Sequence, residues 1–152
     1  MSDRQNAQDL IRYASDPARL QAVQHTAAAK LLAYDGEIYP ADGCAITLSL
    51  LLQAVGINVP DTYMAFDLAR ELEQSRSWVR VATGSQKSSD IGSTCLQAPV
   101  QGSDHIYFVL KAVNGDEMVI ADNQMAAPHF RFASGQGKTP TQYFLRAPGQ
   151  PV

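Results

Sequence analysis

The sequence predicts an α+β domain, helices packed on a mainly antiparallel β-sheet, and three observations carry that expectation. The first half holds Ala-, Leu- and Lys-rich stretches bounded by helix start and stop signals. After Trp78 the texture changes to short runs of β-branched and aromatic residues. Polar loops rich in Gly, Ser and Pro separate those runs. A chain of 152 residues that is 45% hydrophobic can bury one full core. Residues 1–152 therefore read as a single domain, with 1–14 as a candidate for loose packing at its N-terminal edge.

Residues 3–14 can supply a short first helix. The stretch SDPARLQAVQHTAAAKLLAY starts the long one. Ser15 or Asp16 caps it, Pro17 takes the first helical position, and its composition sustains it to about Tyr34. A third helix runs from Cys44 to about Val55. Ala45, Ile46, Leu48, Leu50, Leu51, Leu52, Ala54 and Val55 leave it almost no polar face, so it must be surrounded by protein. Gly56 ends it as a C-cap residue, and Pro60, Asp61 and Thr62 open the next helix, DTYMAFDLARELEQS. The strands follow as WVRVA, DIGSTCL, HIYFVLKAV, EMVIAD, HFRFA and QYFLRA, with TGSQKSSD, APVQGSD and SGQGKTP as surface loops.

Charge and composition remove several function classes. Twelve basic and fifteen acidic residues give a net charge of −3, and the basic ones are scattered rather than gathered in a stripe, which argues against nucleic acid as a partner. No run approaches the ~18 apolar residues of a membrane span. The N-terminus MSDRQNAQDLIRYASD lacks the basic start and apolar core of a signal peptide. Synthesis in the cytoplasm without a signal peptide, and no membrane insertion, are expected. Cys44 and Cys95 do not make a disulfide scaffold, and neither has a second Cys or His at ligand spacing. Two free thiols, no metal and no cofactor follow.

Cys44 opens an apolar helix directly behind Pro40-Ala41-Asp42-Gly43. Backbone N–H groups are unpaired there and the helix dipole is positive, an environment that favours thiolate. A cysteine nucleophile also needs a base and a group to orient that base. His25 lies within the long helix among alanines and glutamines, where packing or exposure is the ordinary role. His129 follows Pro128 in a short strand and remains a candidate. His105 opens the most apolar strand, HIYFVLKAV, and a residue at a strand mouth is rigidly held yet can face a cleft.

The next strand supplies the orienter. Asn114-Gly115 is a strong hairpin signal. A two-residue turn there sets His105 opposite Gln124, with Asp122 as the diagonal neighbour on the same face, roughly 7–8 Å away between backbones. Asn123 then points to the opposite face; a three-residue turn or a bulge would exchange the two. Gln124 is a second candidate contact for the imidazole or a substrate. Cys95, mid-strand with no base nearby in sequence, reads as structural.

Taken in order, DGCAITLSLLLQAVGINVP, SWVRV, SSDIGST and SDHIYFVLKAVNGDEMVIADNQ resemble the papain-like cysteine hydrolases of the NlpC and CHAP type, over roughly residues 34–124. The usual Asp-Cys-Ser of those families is Gly43-Cys44-Ala45 here, and their Pro-Gly-Asp element is Ser88-Ser89-Asp90. The bacteriocin-leader-processing peptidases share the same Cys, His, Asp order.

The resemblance implies a papain-like fold with the nucleophile at the start of a buried helix and a Cys44, His105, Asp122 triad. It implies an amidase or peptidase acting on peptide or amide bonds of peptidoglycan, with a protein-directed peptidase or deamidase and a non-catalytic binding module as the alternatives. The Cys44 backbone N–H is then the first oxyanion donor and Tyr34 or Tyr39 the second. A wall-directed enzyme of this kind would reach murein by phage lysis, tail delivery or a secretion system. An immunity or inhibitor protein is a further partner that such a role leaves open.

Overall fold

A computed structural model describes residues 2–95 and 104–149, and within them the chain is an α+β structure of four α-helices and a six-stranded antiparallel sheet. The end of the expected strand DIGSTCL beyond Cys95, and all but the last residue of the loop APVQGSD, lie outside the described residues.

Helix α1, Asp3–Ser15, opens with a reciprocal capping box in which the Ser2 hydroxyl accepts from the Gln5 N–H and the Gln5 side chain accepts from the Ser2 N–H. Ala7, Leu10 and Ala14 are fully buried. The Asp3 carboxylate takes two Arg76 bonds at 2.7 Å and the Trp78 indole N–H at 2.9 Å. The N-terminal segment, a candidate for loose packing on sequence, is therefore firmly held by apolar burial and a bidentate ion pair.

Helix α2, Pro17–Asp35, is capped by the Asp16 carboxylate on the Ala18 N–H and ends at Gly36 in the left-handed region. Helix α3, Cys44–Ala54, buries eight of its eleven residues, and its last carbonyls are closed by the N–H groups of Gly56 and Ile57. Helix α4 starts at Ala65 rather than at Asp61. The Asp61 carboxylate is held by Gln53 of α3 and Lys30 of α2, while Thr62 exchanges bonds with Ser49, so this segment is pinned across α3 in a non-helical path. A π-helical turn, Glu71–Ser75, continues α4.

The strands are β1 Val79–Val81, β2 Ile91–Ser93, β3 Ile106–Ala112, β4 Glu117–Ala121, β5 His129–Phe132 and β6 Tyr143–Arg146, in the spatial order β1-β6-β2-β3-β4-β5. Strand alternation divides the core in two. Ile106, Phe108 and Leu110 of β3 join α1, α3 and α4 in the larger cluster, while Tyr107 and Val109 pack with Met118, Ile120 and Phe144 on the other face. Below that second face the Arg146 guanidinium grips the buried Asp90 carboxylate at 2.7 and 2.9 Å. Asp90 thus anchors β6. Among the described residues no helix is long and apolar enough to cross a membrane.

Candidate active site

Cys44 is the first residue of α3, so its backbone N–H has no intrahelical partner. Its side chain is 7% exposed and its sulfur lies 3.8 Å from the Asp104 carbonyl oxygen. The turn ahead of it is tight: a side chain at Gly43 would come within 2.7 Å of the Tyr39 ring. Only glycine lets that ring pack against the helix start.

His105 is fixed from two sides. Its backbone N–H donates to the Thr94 hydroxyl at 2.8 Å and its carbonyl accepts from the Thr94 N–H at 3.0 Å, extending the β2–β3 ladder. Its Nε2 lies 2.8 Å from Asp122 Oδ2. That leaves Nδ1 as the ring nitrogen for the Cys44 sulfur. Burial opposes the charged ring, but the hydrogen bonds to Asp122 and Cys44 outweigh it and carry the His105 pKa up to about 9.

Asp122 follows β4, with its side chain sealed from solvent. Oδ1 accepts from His129 Nε2 at 2.9 Å and from the Gln124 backbone N–H at 2.9 Å. Burial pushes this carboxyl up, and the bonds from His105 and His129 more than reverse it, holding the group well below the usual carboxylate range. Gln24 of α2 donates to the Asp122 and Met125 carbonyls at 2.8 Å each, fastening the end of β4 to the helical layer.

The sequence candidates separate on this frame. Cys44 and His105 line a cleft of about 630 Å³, within the size range of small-ligand sites, and the sealed Asp122 backs His105. Its walls come from the turn at 40–42, the segment at Asn123 and Gln124, and Arg131, Lys138 and Thr139 beyond β4. Asn123 lies off the imidazole: its Nδ2 donates to the Pro40 carbonyl at 2.6 Å, and its buried Oδ1 has no partner. Gln124 is exposed at the rim.

Neither tyrosine presents its hydroxyl to this cleft. Helix α2 runs on to Asp35, so Tyr34 sits on its exposed side, stacked on Tyr63 at 3.9 Å. The Tyr39 hydroxyl is 3.3 Å from Thr47 Oγ1, and burial raises its pKa to about 12.

Sequence reasoning left three participants without a role. His129, left without support there, is the second imidazole on Asp122; no turn signal fixes the β4–β5 register that pairs it with Ile120. Gln24 looks like one more polar residue of a helix, and Arg131 like one more residue of a short strand. Cys95 is buried and unbridged, and burial pushes its thiol up to about 11. Among the described residues no three His, Cys, Asp or Glu side chains form a metal-ligand set. Compared with protein-family models, curated proteins and solved structures, the chain matches none.

Proposed function

We propose that the protein is a cysteine amidohydrolase or peptidase of papain-like architecture, acting on peptide or amide bonds of peptidoglycan stem peptides. The observation that carries the reading is one constellation: a cysteine at the first turn of a buried helix, a histidine bound at 2.8 Å to a sealed carboxylate, and an open cleft shared by Cys44 and His105.

In the mechanism, His105 Nδ1 takes the Cys44 proton and the thiolate attacks the scissile carbonyl. The Cys44 backbone N–H, at the positive end of α3, stabilises the oxyanion. The imidazolium returns its proton to the leaving amine, and a thioester remains. His105 then deprotonates water, which attacks the thioester and restores the thiol. Asp122 keeps Nε2 protonated throughout and so holds Nδ1 in the basic tautomer. The substrate class rests on the family resemblance alone. A non-catalytic module predicts a sealed cysteine with no cleft to His105, and the shared cleft counts against it.

The test is digestion of purified peptidoglycan by the wild type and by Cys44→Ala, with soluble fragments identified by mass spectrometry. Defined fragments from the wild type alone support the wall-hydrolase reading and name the bond. No fragments with fast iodoacetamide labelling of Cys44 at neutral pH move the substrate to proteins; slow labelling as well overturns the enzyme reading.

A further inference from the structure

Arg131 occupies β5, two residues after His129 and on the same face of the sheet. Its residue surface is only 4% exposed, yet none of the ion pairs of the described residues reaches it. Residues 96–103 and 150–152 contain no Asp or Glu that could supply a side-chain partner. The other deeply buried arginine, Arg146, is paired bidentately with Asp90. A buried cation without a counter-charge is costly, and proteins retain few of them.

The Arg131 guanidinium is nonetheless held in place. Nη2 donates to the Thr139 carbonyl at 2.8 Å, the guanidinium carbon lies 5.1 Å over the Tyr107 ring, and Nε has no partner. The Tyr107 ring is itself fixed by a 2.7 Å hydroxyl bond to Thr141. Arg131 lines the same cleft as Cys44 and His105, and exposed Lys138 stands on that cleft too, as do Asp42 and Asp104. A guanidinium held in place beside a second cation, both lining an open cleft, is suited to anionic oxygens, and above all to the planar geometry of a carboxylate.

We infer that Arg131 and Lys138 form a subsite for a carboxylate of the substrate, so that the protein selects amides bearing a free carboxyl group near the bond cleaved. The inference rests on the cysteine-hydrolase reading for its chemistry, while its geometry is independent of it. A merely structural Arg131, bracing Tyr107 and the Thr139 carbonyl, would leave charge selectivity unchanged.

The experiment uses two haloacetyl probes with the same electrophile, bromoacetyl-glycine and bromoacetyl-glycinamide, which differ only in the terminal carboxylate. Alkylation of Cys44 is followed by peptide mass mapping, and each rate is normalised to that of glutathione. The wild type is expected to prefer the anionic probe by roughly fivefold or more, the scale of one partly screened charge contact. Arg131→Met is expected to bring the preference below about twofold, Lys138→Ala to lower it in part, and Arg131→Lys, which keeps the charge but not the planar fork, to retain only part of it. An unchanged preference in both Arg131→Met and Lys138→Ala overturns the subsite. Should Arg131→Met not fold, Lys138→Ala at an exposed position decides alone, and an unchanged preference there overturns it. The rate with the neutral probe reports the cysteine and the ratio reports the subsite, so failure of the enzyme reading and failure of this inference are read separately.

Discussion

Asp122→Asn keeps the shape of the carboxylate and removes its charge, at a group that serves two imidazoles at 2.8 and 2.9 Å. In the wild type the His105 pKa stands at about 9 against 6.5 for the free side chain, which corresponds to preferential stabilisation of the imidazolium on the order of 3 kcal/mol. Burial disfavours the charged ring and persists in the variant, as does the contact with Cys44, while the Asp122 charge does not. The expected midpoint of His105 therefore falls by about one pH unit or more, toward the free value. The assay is an NMR titration of the 15N-labelled imidazoles in both proteins. The stability consequence has a definite sign. Because the folded pKa lies above the unfolded one, the His105 contribution is fully present below about pH 6.5 and is lost as pH rises through about 9. Asp122 acts in the opposite direction, with a contribution present above the ordinary carboxylate pKa and lost in more acidic solution. Urea unfolding of the wild type should weaken between pH 6.5 and 9, and that slope should be shallower in the variant. A His105 midpoint near 6.5 in the wild type, or one that Asp122→Asn leaves in place, would refute the reasoning.

Three further substitutions test the frame around the site. His129→Ala removes one donor from Asp122 Oδ1, which keeps the Gln124 N–H, so urea unfolding should show a loss of about 1–3 kcal/mol while the His105 midpoint moves by less than about one pH unit. Gly92→Ala puts a methyl group 2.5 Å from the Tyr107 hydroxyl oxygen and 2.7 Å from Cε2. Since that ring lies 5.8 Å from the His105 ring, the variant should lose roughly 1–3 kcal/mol and shift the His105 resonances, and unchanged resonances would show that Tyr107 does not transmit the strain. Arg146→Met strands the Asp90 carboxylate in the core and should cost about 3–5 kcal/mol, whereas the double variant Arg146→Met with Asp90→Leu should recover much of it on the same denaturation curves.

The helical layer was legible because its signals are local. Asp16 and Pro17 start α2, the unbroken apolar run from Ala45 onward requires a buried helix, and Gly56 ends it in the left-handed conformation, all within one or two residues of the expectation. The fourth helix began late because its apparent start signal is consumed by tertiary partners: Asp61 bonds to Gln53 and Lys30 instead of capping its own helix. The same limit applies at the site. Cys44 and His105 are marked by their positions at element starts, but His129, Gln24 and Arg131 matter through partners about 7, 100 and 8 residues away, and nothing in their immediate neighbours encodes those contacts.

The hairpin joining β3 to β4 brings Asp122 to His105 by a local route other than the expected one. The expected two-residue turn at Asn114-Gly115 is absent. Val113 and Asn114 both donate to the Glu117 carbonyl, the Asn114 side chain accepts from Asp116 and Glu117, and pairing begins at Ala112 with Met118. Carried unchanged along both strands, that register would turn Asn123 rather than Asp122 toward the imidazole. The shift between Val109 and Lys111 takes up the extra residue and restores Val109 opposite Ile120 and Phe108 opposite Ala121. The bulge is thus what selects a carboxylate for His105. An amide in its place has one accepting oxygen and could not receive hydrogen bonds from both His105 and His129 on separate oxygens, nor supply the negative charge that favours the charged form of His105. The larger turn and the bulge are one device, and its effect is to put a negative charge, sealed from water, beside the histidine that faces Cys44.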